Sequence, residues 1–342
     1  MIVVCRNSTV STNLNHCKEG VLVKCTVLTS AIVLAVMLAC PLHLLSEPTE
    51  ATLPAATEME SIKEEAPKAL GYDSFSVLIN GSVEELSRTD YIRGVVAAEM
   101  PALYETEALK AQAVAAYTFA CYRKATKNDS RYDITTDSKT DQSYVSDAEC
   151  HEKWGEKAEE YLQKINDAVK AVDGMLLTYN GDCALSVYHA ISSGTTAACR
   201  DVWSKDLPYL VEVPSIGDAL DSGYLTTAQF TSDELKSKLS TLSELTGEPQ
   251  DWFKNLKVAT SSRVVSLELC GATVSGGEVA SALGLRSANF EISYCDGSFT
   301  FTVKGYGHGV GMSQVGANYM AKQGSDYKEI LYHYYKGCKI KN

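Results

Sequence analysis

Beyond residue 72 the chain passes from a polar run into patterned apolar segments, and the first of them reads as a hairpin. In "FSVLINGS" the apolar Val77, Leu78 and Ile79 run straight into Asn80-Gly81, a pair that accepts the backbone angles of a tight turn. The period then changes. Ile92, Val95, Val96 and Glu99 fall at i, i+3, i+4 and i+7, so "YIRGVVAAEM" predicts a helix, capped by Thr89 or Asp90. Pro101 stops it, because the residue before a proline avoids the helical region. A second helix is expected over 105–123, where Ala108, Ala111, Ala115 and Ala116 permit the close approach of a helical hairpin. Strands are expected in "GMLLTYNGDCALSVYHA", again with an Asn-Gly turn, in "RVVSLELCGATV" and in "NFEISYCDGSFTFTVKG". Between them "TSDELKSKLSTLSEL" predicts a helical insert capped by Thr231 or Ser232, and "ILYHYYKG" a C-terminal helix bearing His333. Helices mixed with mainly antiparallel strands give the α+β class, with no internal repeat.

Residues 25–45, "CTVLTSAIVLAVMLACPLHLL", contain no Asp, Glu, Lys or Arg. About 20 helical residues at roughly 1.5 Å each cross a hydrocarbon core of about 30 Å, so one transmembrane helix is expected ahead of the folded domain. Arg6, Lys18 and Lys24 precede it, whereas Glu47, Glu50, Glu58 and Glu60 follow it. The positive-inside rule then makes residues 1–24 a cytoplasmic tail. Residues 46–72, rich in Glu, Ala, Pro and Thr, read as a solvated tether, and residues 73–342 as the folded extracytoplasmic domain. A cleaved signal peptide is the alternative, against which stand the long leader and the lack of a convincing small-x-small site. Met37-Leu38-Ala39-Cys40 departs from a lipoprotein site at Met37 and at the following Pro41.

Composition narrows the function classes. A formal charge of -12 argues against non-specific nucleic-acid binding, which needs clustered Lys and Arg to displace phosphate counterions. Seven of the eleven cysteines lie beyond the apolar segment: Cys121, Cys150, Cys183, Cys199, Cys270, Cys295 and Cys338. Their spacing contains no CxxC pair, which leaves a zinc ribbon or a thioredoxin-like site without support. Cys183 with Cys199, or Cys270 with Cys295, are the bridges an exported domain could form, buried thiols being the default.

Glu99 stands out because it shares a helix face with Ile92, Val95 and Val96. Burial, and the negative end of a helix dipole, both favour a protonated carboxyl, which is what a general acid requires. Pairing with Arg93, Lys110 or Arg123 is the structural alternative. In "GYGHGVGMSQVGA" the glycines at 305, 307, 309 and 311 leave alternate positions bare, so that a ligand can approach the backbone before Met312 or Ser313 opens a helix. The stretch fits neither a P-loop nor GxGxxG nor GxSxG; a purely structural turn is the alternative. "YHAISSGTTAACRDVWSKDLPYL" joins a strand to a hydroxyl-rich loop suited to sugars. His189, His308 and Cys199 are a conceivable metal set without local spacing to recommend it.

Taken together, "AAEMP", "EALKAQAVAAYTFA", "TDQSY", "YHAISSGTT", "DVWSKDLPYL" and "GYGHGVGMSQVGA" resemble, in this order, the SpoIID family of sporulation lytic transglycosylases. The resemblance covers nearly all of residues 74–340. It implies cleavage of the MurNAc-GlcNAc bond in peptidoglycan strands stripped of stem peptides, leaving 1,6-anhydro-MurNAc ends, with Glu99 as the catalytic acid. Gln142, Tyr144, His189, Ser192, Ser193, His308, Gly309, Ser313 and Gln314 match motif positions expected to line the cleft. It also implies an enzyme without cofactor, anchored in the mother-cell membrane, facing the septal wall, and working beside a cell-wall amidase and a membrane scaffold. Some clostridial relatives carry a Cys/His zinc cluster before the Gln-x-Tyr motif, but "YDITTDSKTDQSY" has no such ligands, so no zinc is expected. Four positions depart from the family pattern: in Ala116-Tyr117-Thr118-Phe119, Tyr117 stands for an Arg and Phe119 for a Tyr, Val315 stands for a common Tyr, and Ser193-Gly194 stands for a Gly pair. A non-catalytic glycan-binding amidase enhancer and a zinc-dependent cell-wall amidase remain as alternatives.

Overall fold

Two hydrophobic cores organise residues 3–4, 71–127, 131–203 and 205–342, which the computed structural model describes. Residues from 75 to 213 and from 310 to 338 build the first core, and residues from 235 to 303, inserted between those two stretches, build the second. The expected anchor and most of the tail and tether lie outside the described residues, β1 (Val3–Val4) being the exception at the N-terminus. Among the described residues no helix is long and apolar enough to cross a membrane.

The first hairpin forms as the sequence predicts. β2 (Ser74–Ile79) turns through Asn80 and Gly81, at φ 49° and 86°, into β3 (Ser82–Ser87), and β4 (Ile134–Thr135) joins β2 in parallel. α1 (Arg88–Glu99) begins earlier than expected, because Ser87 and not Thr89 or Asp90 is its cap: the Ser87 hydroxyl accepts the Asp90 N–H. Met100 is extended and Pro101 follows, so the helix stops where predicted. α2 (Thr106–Thr126) buries Ala108, Ala111, Ala115 and Ala116 completely, which lets α1 and a further helix lie close to it.

Among the helices that go beyond the sequence expectations are α3 (Asp147–Trp154) and α4 (Ala158–Ala171). Both carry local signals: Ser146 and Glu149 form a capping box, and Ile165, Ala168 and Val169 make the buried face of α4 that packs on α1 and α2. β5 (Leu176–Tyr179) turns at Asn180-Gly181 into β6 (Asp182–Cys183), followed by β7 (Tyr188–His189) and α5 (Arg200–Trp203).

The inserted core comprises β8 (Leu225–Thr231), α6 (Ser232–Lys238), β9 (Phe253–Val258), β10 (Val264–Leu269), β11 (Ala272–Ser275), α7 (Gly276–Leu283), β12 (Phe290–Cys295) and β13 (Ser298–Lys304). Thr231 caps α6, as expected. β8 and β12 flank β13 antiparallel, β9 and β11 flank β10 likewise, and Trp252, Phe253, Phe299 and Phe301 fill the space between. β1 pairs in parallel with Ser293 and Tyr294 of β12.

The chain then returns to the first core through β14 (Met312–Ser313), parallel to β7, α8 (Gln314–Lys322), α9 (Tyr327–Tyr334) and β15 (Lys339–Lys341), which is antiparallel to β5. Helices with mainly antiparallel sheets make this an α+β fold. Neither suggested disulfide forms, since Cys183 and Cys199 are buried thiols and Cys270 is a thiol as well.

Candidate active site

Glu99 is the last residue of α1, so its side chain leaves the helix where the apolar face meets the loop after α2. Its Oε1 accepts the Ser143 N–H at 2.9 Å and its Oε2 accepts the Gln314 side-chain amide at 3.4 Å. The three cations that could have claimed it are engaged elsewhere. Arg93 pairs with Asp90 at 3.1 Å and Asp147 at 2.9 Å, Lys110 with Glu107 at 2.7 Å, and Arg123 with Asp141. Although the residue keeps some solvent contact, its carboxyl lies deep among protein atoms, and that desolvation pushes its pKa above the ordinary carboxylate value; the Ser143 and Gln314 bonds pull the other way.

The segment that presents Ser143 is fastened residue by residue to α1 and α2. Asp141 meets Arg123 with side chains only 0% and 9% exposed, and it also accepts the Thr135 N–H at 2.9 Å. Gln142 is buried, donates to Tyr91 Oη (3.2 Å) and the Ala116 carbonyl (3.3 Å), and accepts from Tyr188 Oη (2.7 Å). Its amide is thus spent inside the protein. The Tyr144 ring stacks on Tyr91, centroids 6.0 Å apart, and lies over Gly94, whose missing side chain makes room for it. Val145 closes the series by donating to the Gly94 carbonyl at 3.3 Å.

On the other side Gln314 begins α8, and Ser313 is its cap, accepting the Gly316 N–H at 3.2 Å. Ser313 also donates to Asp218 Oδ1 at 2.7 Å, while Ser192 donates both its N–H (2.9 Å) and its hydroxyl to Asp218 Oδ2. Ser193 donates to the Ser261 carbonyl of the inserted core. The hydroxyls of this expected sugar loop are therefore turned inward.

The alternate glycines serve a different purpose from the expected one. Gly305, Gly307, Gly309 and Gly311 all have positive φ, and a Cβ on Gly305 or Gly311 would lie 2.6 Å from the Ile191 carbonyl or 2.0 Å from that of Val187. What approaches the bare backbone is the protein's own segment after β6. That contact lays the loop along residues 188–197, with Ile191 bridged to Tyr306 and Ala197 to Val310.

It also brings the two expected histidines together. His189 Nδ1 donates to the Val310 carbonyl at 3.0 Å, which leaves Nε2 a buried acceptor without a partner among the described residues. His308 Nδ1 accepts the Val310 N–H at 3.1 Å, and its ring lies 5.7 Å from that of His189 and 4.9 Å from Trp203. Burial pushes His189 down to about 4 and His308 well below its ordinary value, His189 and the Arg263 guanidinium adding to the latter. Both are neutral imidazoles at neutral pH. Among the described residues no three His, Cys, Asp or Glu side chains are grouped to hold a metal.

Ser143, Tyr188 and Trp203, which lie within the TDQSY, YHAISSGTT and DVWSKDLPYL stretches but are not among the expected site residues, join the site, as does Asp218, which lies outside every quoted stretch. Ser143 acts through a backbone N–H, which has no side-chain signature, and Asp218 sits in "SIGDAL", a short turn with no motif around it. Comparison with known proteins settles the family. The SpoIID family model, described as stage II sporulation protein, matches residues 80–179. Stage II sporulation protein D of Bacillus subtilis (strain 168) is 37% identical over 272 residues, 76% of each chain. The chain belongs to the SpoIID family. Stage II sporulation protein D of Bacillus amyloliquefaciens is 38% identical over 265 residues, again 76% of each chain. A more distant relative, the amidase enhancer of Bacillus subtilis, is 26% identical over 307 residues, covering 73% of this chain and 40% of its own. Membership supports a sporulation protein with a role at the cell wall.

Proposed function

We propose that this SpoIID protein is a lytic transglycosylase that cleaves MurNAc-GlcNAc bonds of stem-stripped peptidoglycan strands, leaving 1,6-anhydro-MurNAc ends. The observation that supports this reading most is a raised-pKa carboxyl, Glu99, whose two hydrogen-bond partners are both neutral donors. Burial favours the protonated acid that the first step needs. As the bond from C1 to the leaving oxygen breaks, Glu99 gives that oxygen its proton, and Ser143 N–H and the Gln314 amide then stabilise the carboxylate left behind. The carboxylate next takes the proton of the sugar's own C6 hydroxyl while that oxygen bonds to C1 and closes the anhydro ring. Ordinary glycoside hydrolysis uses two carboxylates, but here the internal hydroxyl replaces water and one acid suffices.

In this reading the half-buried Tyr144 and His308 meet the glycan, whereas Gln142, His189, Ser192, Ser193, the buried Gly309 and Ser313 hold the walls. Residues 25–45 anchor the chain in the mother-cell membrane with the domain facing the septal wall, beside an amidase that strips the strands and a membrane scaffold. A second reading, a glycan-binding module that stimulates an amidase, is favoured by the similarity to the amidase enhancer. Mass spectrometry of stem-free strands after incubation separates the two: anhydro ends support the enzyme, and intact strands with stimulated amidase support the module. Reducing ends would mean plain hydrolysis.

A further inference from the structure

Asp218 is a fully buried carboxylate in the turn Ile216–Leu220, and it has no place in the chemistry above. Its partners are neutral: the Ser192 N–H and hydroxyl on Oδ2, and the Ser313 hydroxyl on Oδ1. Burial pushes its pKa above the ordinary carboxylate value, and these bonds, with the Ser215 hydroxyl that itself lies 2.7 Å from Tyr334 Oη, pull the other way. A carboxylate this deep is costly unless several donors hold it, so the chain has gathered three hydrogen bonds around one side chain.

Those donors converge on the start of α8. The Ser313 hydroxyl has a single proton, and giving it to Asp218 turns its lone pairs toward the Gly316 N–H that it caps. The first turn of α8 rests directly on this hub: a Cβ on Gly316 would lie 2.1 Å from both Ser215 Oγ and Tyr334 Oη and 3.2 Å from Asp218 Oδ1. The positive end of the helix in turn favours the charge on Asp218. Gln314, the residue after the cap, carries the amide that meets Glu99.

We propose that Asp218 is a positioning residue, which fixes the first turn of α8 through Ser313 so that the Gln314 amide reaches the Glu99 carboxyl. Its catalytic consequence rests on the transglycosylase reading, but its geometric consequence does not. Tyr91 and Tyr188, the other titratable groups whose charge feels Glu99, are pushed far up by burial and stay neutral, so the Glu99 titration reports on its donors.

The test is a 13C NMR titration of glutamate-labelled full-length chain in detergent, without substrate, the Glu99 signal being assigned by its loss in Glu99→Gln. Asp218→Asn and Ser313→Ala should each raise the Glu99 pKa by about 0.5 unit, as Gln314→Leu does, because a donor to the charged form is displaced. Asp218→Asn should add nothing in a Gln314→Leu background. On stem-free strands kcat should fall about threefold to tenfold with KM within about twofold, the pattern of a lost transition-state contact. A folded Asp218→Asn protein that titrates like wild type, or whose shift adds in full to that of Gln314→Leu, overturns the proposal. If Asp218→Asn does not fold, Ser313→Ala decides alone, a wild-type titration again counting against it. Absence of anhydro products from wild type would sink the transglycosylase reading and leave the titration result standing.

Discussion

Gly94 lies in the middle of α1, where an alanine would ordinarily stabilise the helix by about 1 kcal/mol. The surroundings reverse that sign. A Cβ at this position would lie 2.2 and 2.6 Å from Tyr144 Cε2 and Cδ2 and 2.7 Å from the Val145 carbonyl oxygen. Carbon atoms sit comfortably at about 3.5–4.0 Å, so the ring must retreat by more than about 1 Å. It can do so only by leaving its stack on Tyr91, and the carbonyl can move only with the backbone that also holds the Ser143 N–H on Glu99. Overpacking of this kind costs about 1–3 kcal/mol, and weakening the Ser143 hydrogen bond to the Glu99 carboxyl costs about 0.5–1.5 kcal/mol more. After the propensity gain, Gly94→Ala should be destabilised by about 0.5–3.5 kcal/mol, read by calorimetry as a melting temperature lower by about 2–4 °C for each kcal/mol. Turnover of stem-free strands should fall by about tenfold or more, because the donor to Glu99 is displaced by a sizeable fraction of an ångström. A Gly94→Ala protein that melts at or above the wild-type temperature and keeps full turnover would refute the packing argument.

Glu99→Gln should abolish cleavage and yet raise the melting temperature by about 2–5 °C at neutral pH. The sign follows from the raised pKa: below the ordinary value of 4.5 the carboxyl is protonated folded or unfolded, and stability is lost as pH rises through the higher folded value. Melting curves should therefore converge below about pH 4. The same shift predicts that kcat/KM falls on the alkaline side as the acid loses its proton, which a pH-rate profile checks. Arg123→Met leaves Asp141 charged and buried, so urea denaturation should show a loss of about 3–5 kcal/mol, with turnover also reduced because Asp141 leads into Ser143. For the proposed anchor, protease added to protoplasts should cut within residues 46–72 and spare residues 1–24; digestion of the tail would overturn that topology.

Much of the frame is legible in the amino-acid sequence because tertiary packing does not override the local rules. The Asn-Gly pairs at 80 and 180 turn hairpins, Pro101 stops α1, and Thr231 caps α6, each by chemistry confined to a few residues. The inward face of Glu99 is legible too, since helical spacing puts it beside Val95 and Val96. What the sequence hides is whatever depends on distant neighbours. Ser192 and Ser313 have the chemistry of glycan ligands, but Asp218, brought from a separate turn, takes both hydroxyls. Gln142 has the same aptitude for a sugar, and Tyr91, Ala116 and Tyr188 share its amide instead. The alternate glycines do permit close approach, as their spacing implies, and only the fold reveals that the approaching group is the chain at Val187 and Ile191.

The claim on which the account turns is that the sugar's own hydroxyl, managed by Glu99, does the work of water. Stem-free strands digested in H218O and analysed by mass spectrometry test it most directly. The account predicts anhydro ends free of 18O from the wild-type protein and no new ends from Glu99→Gln. Labelled reducing ends, or anhydro ends still released by Glu99→Gln, would contradict it.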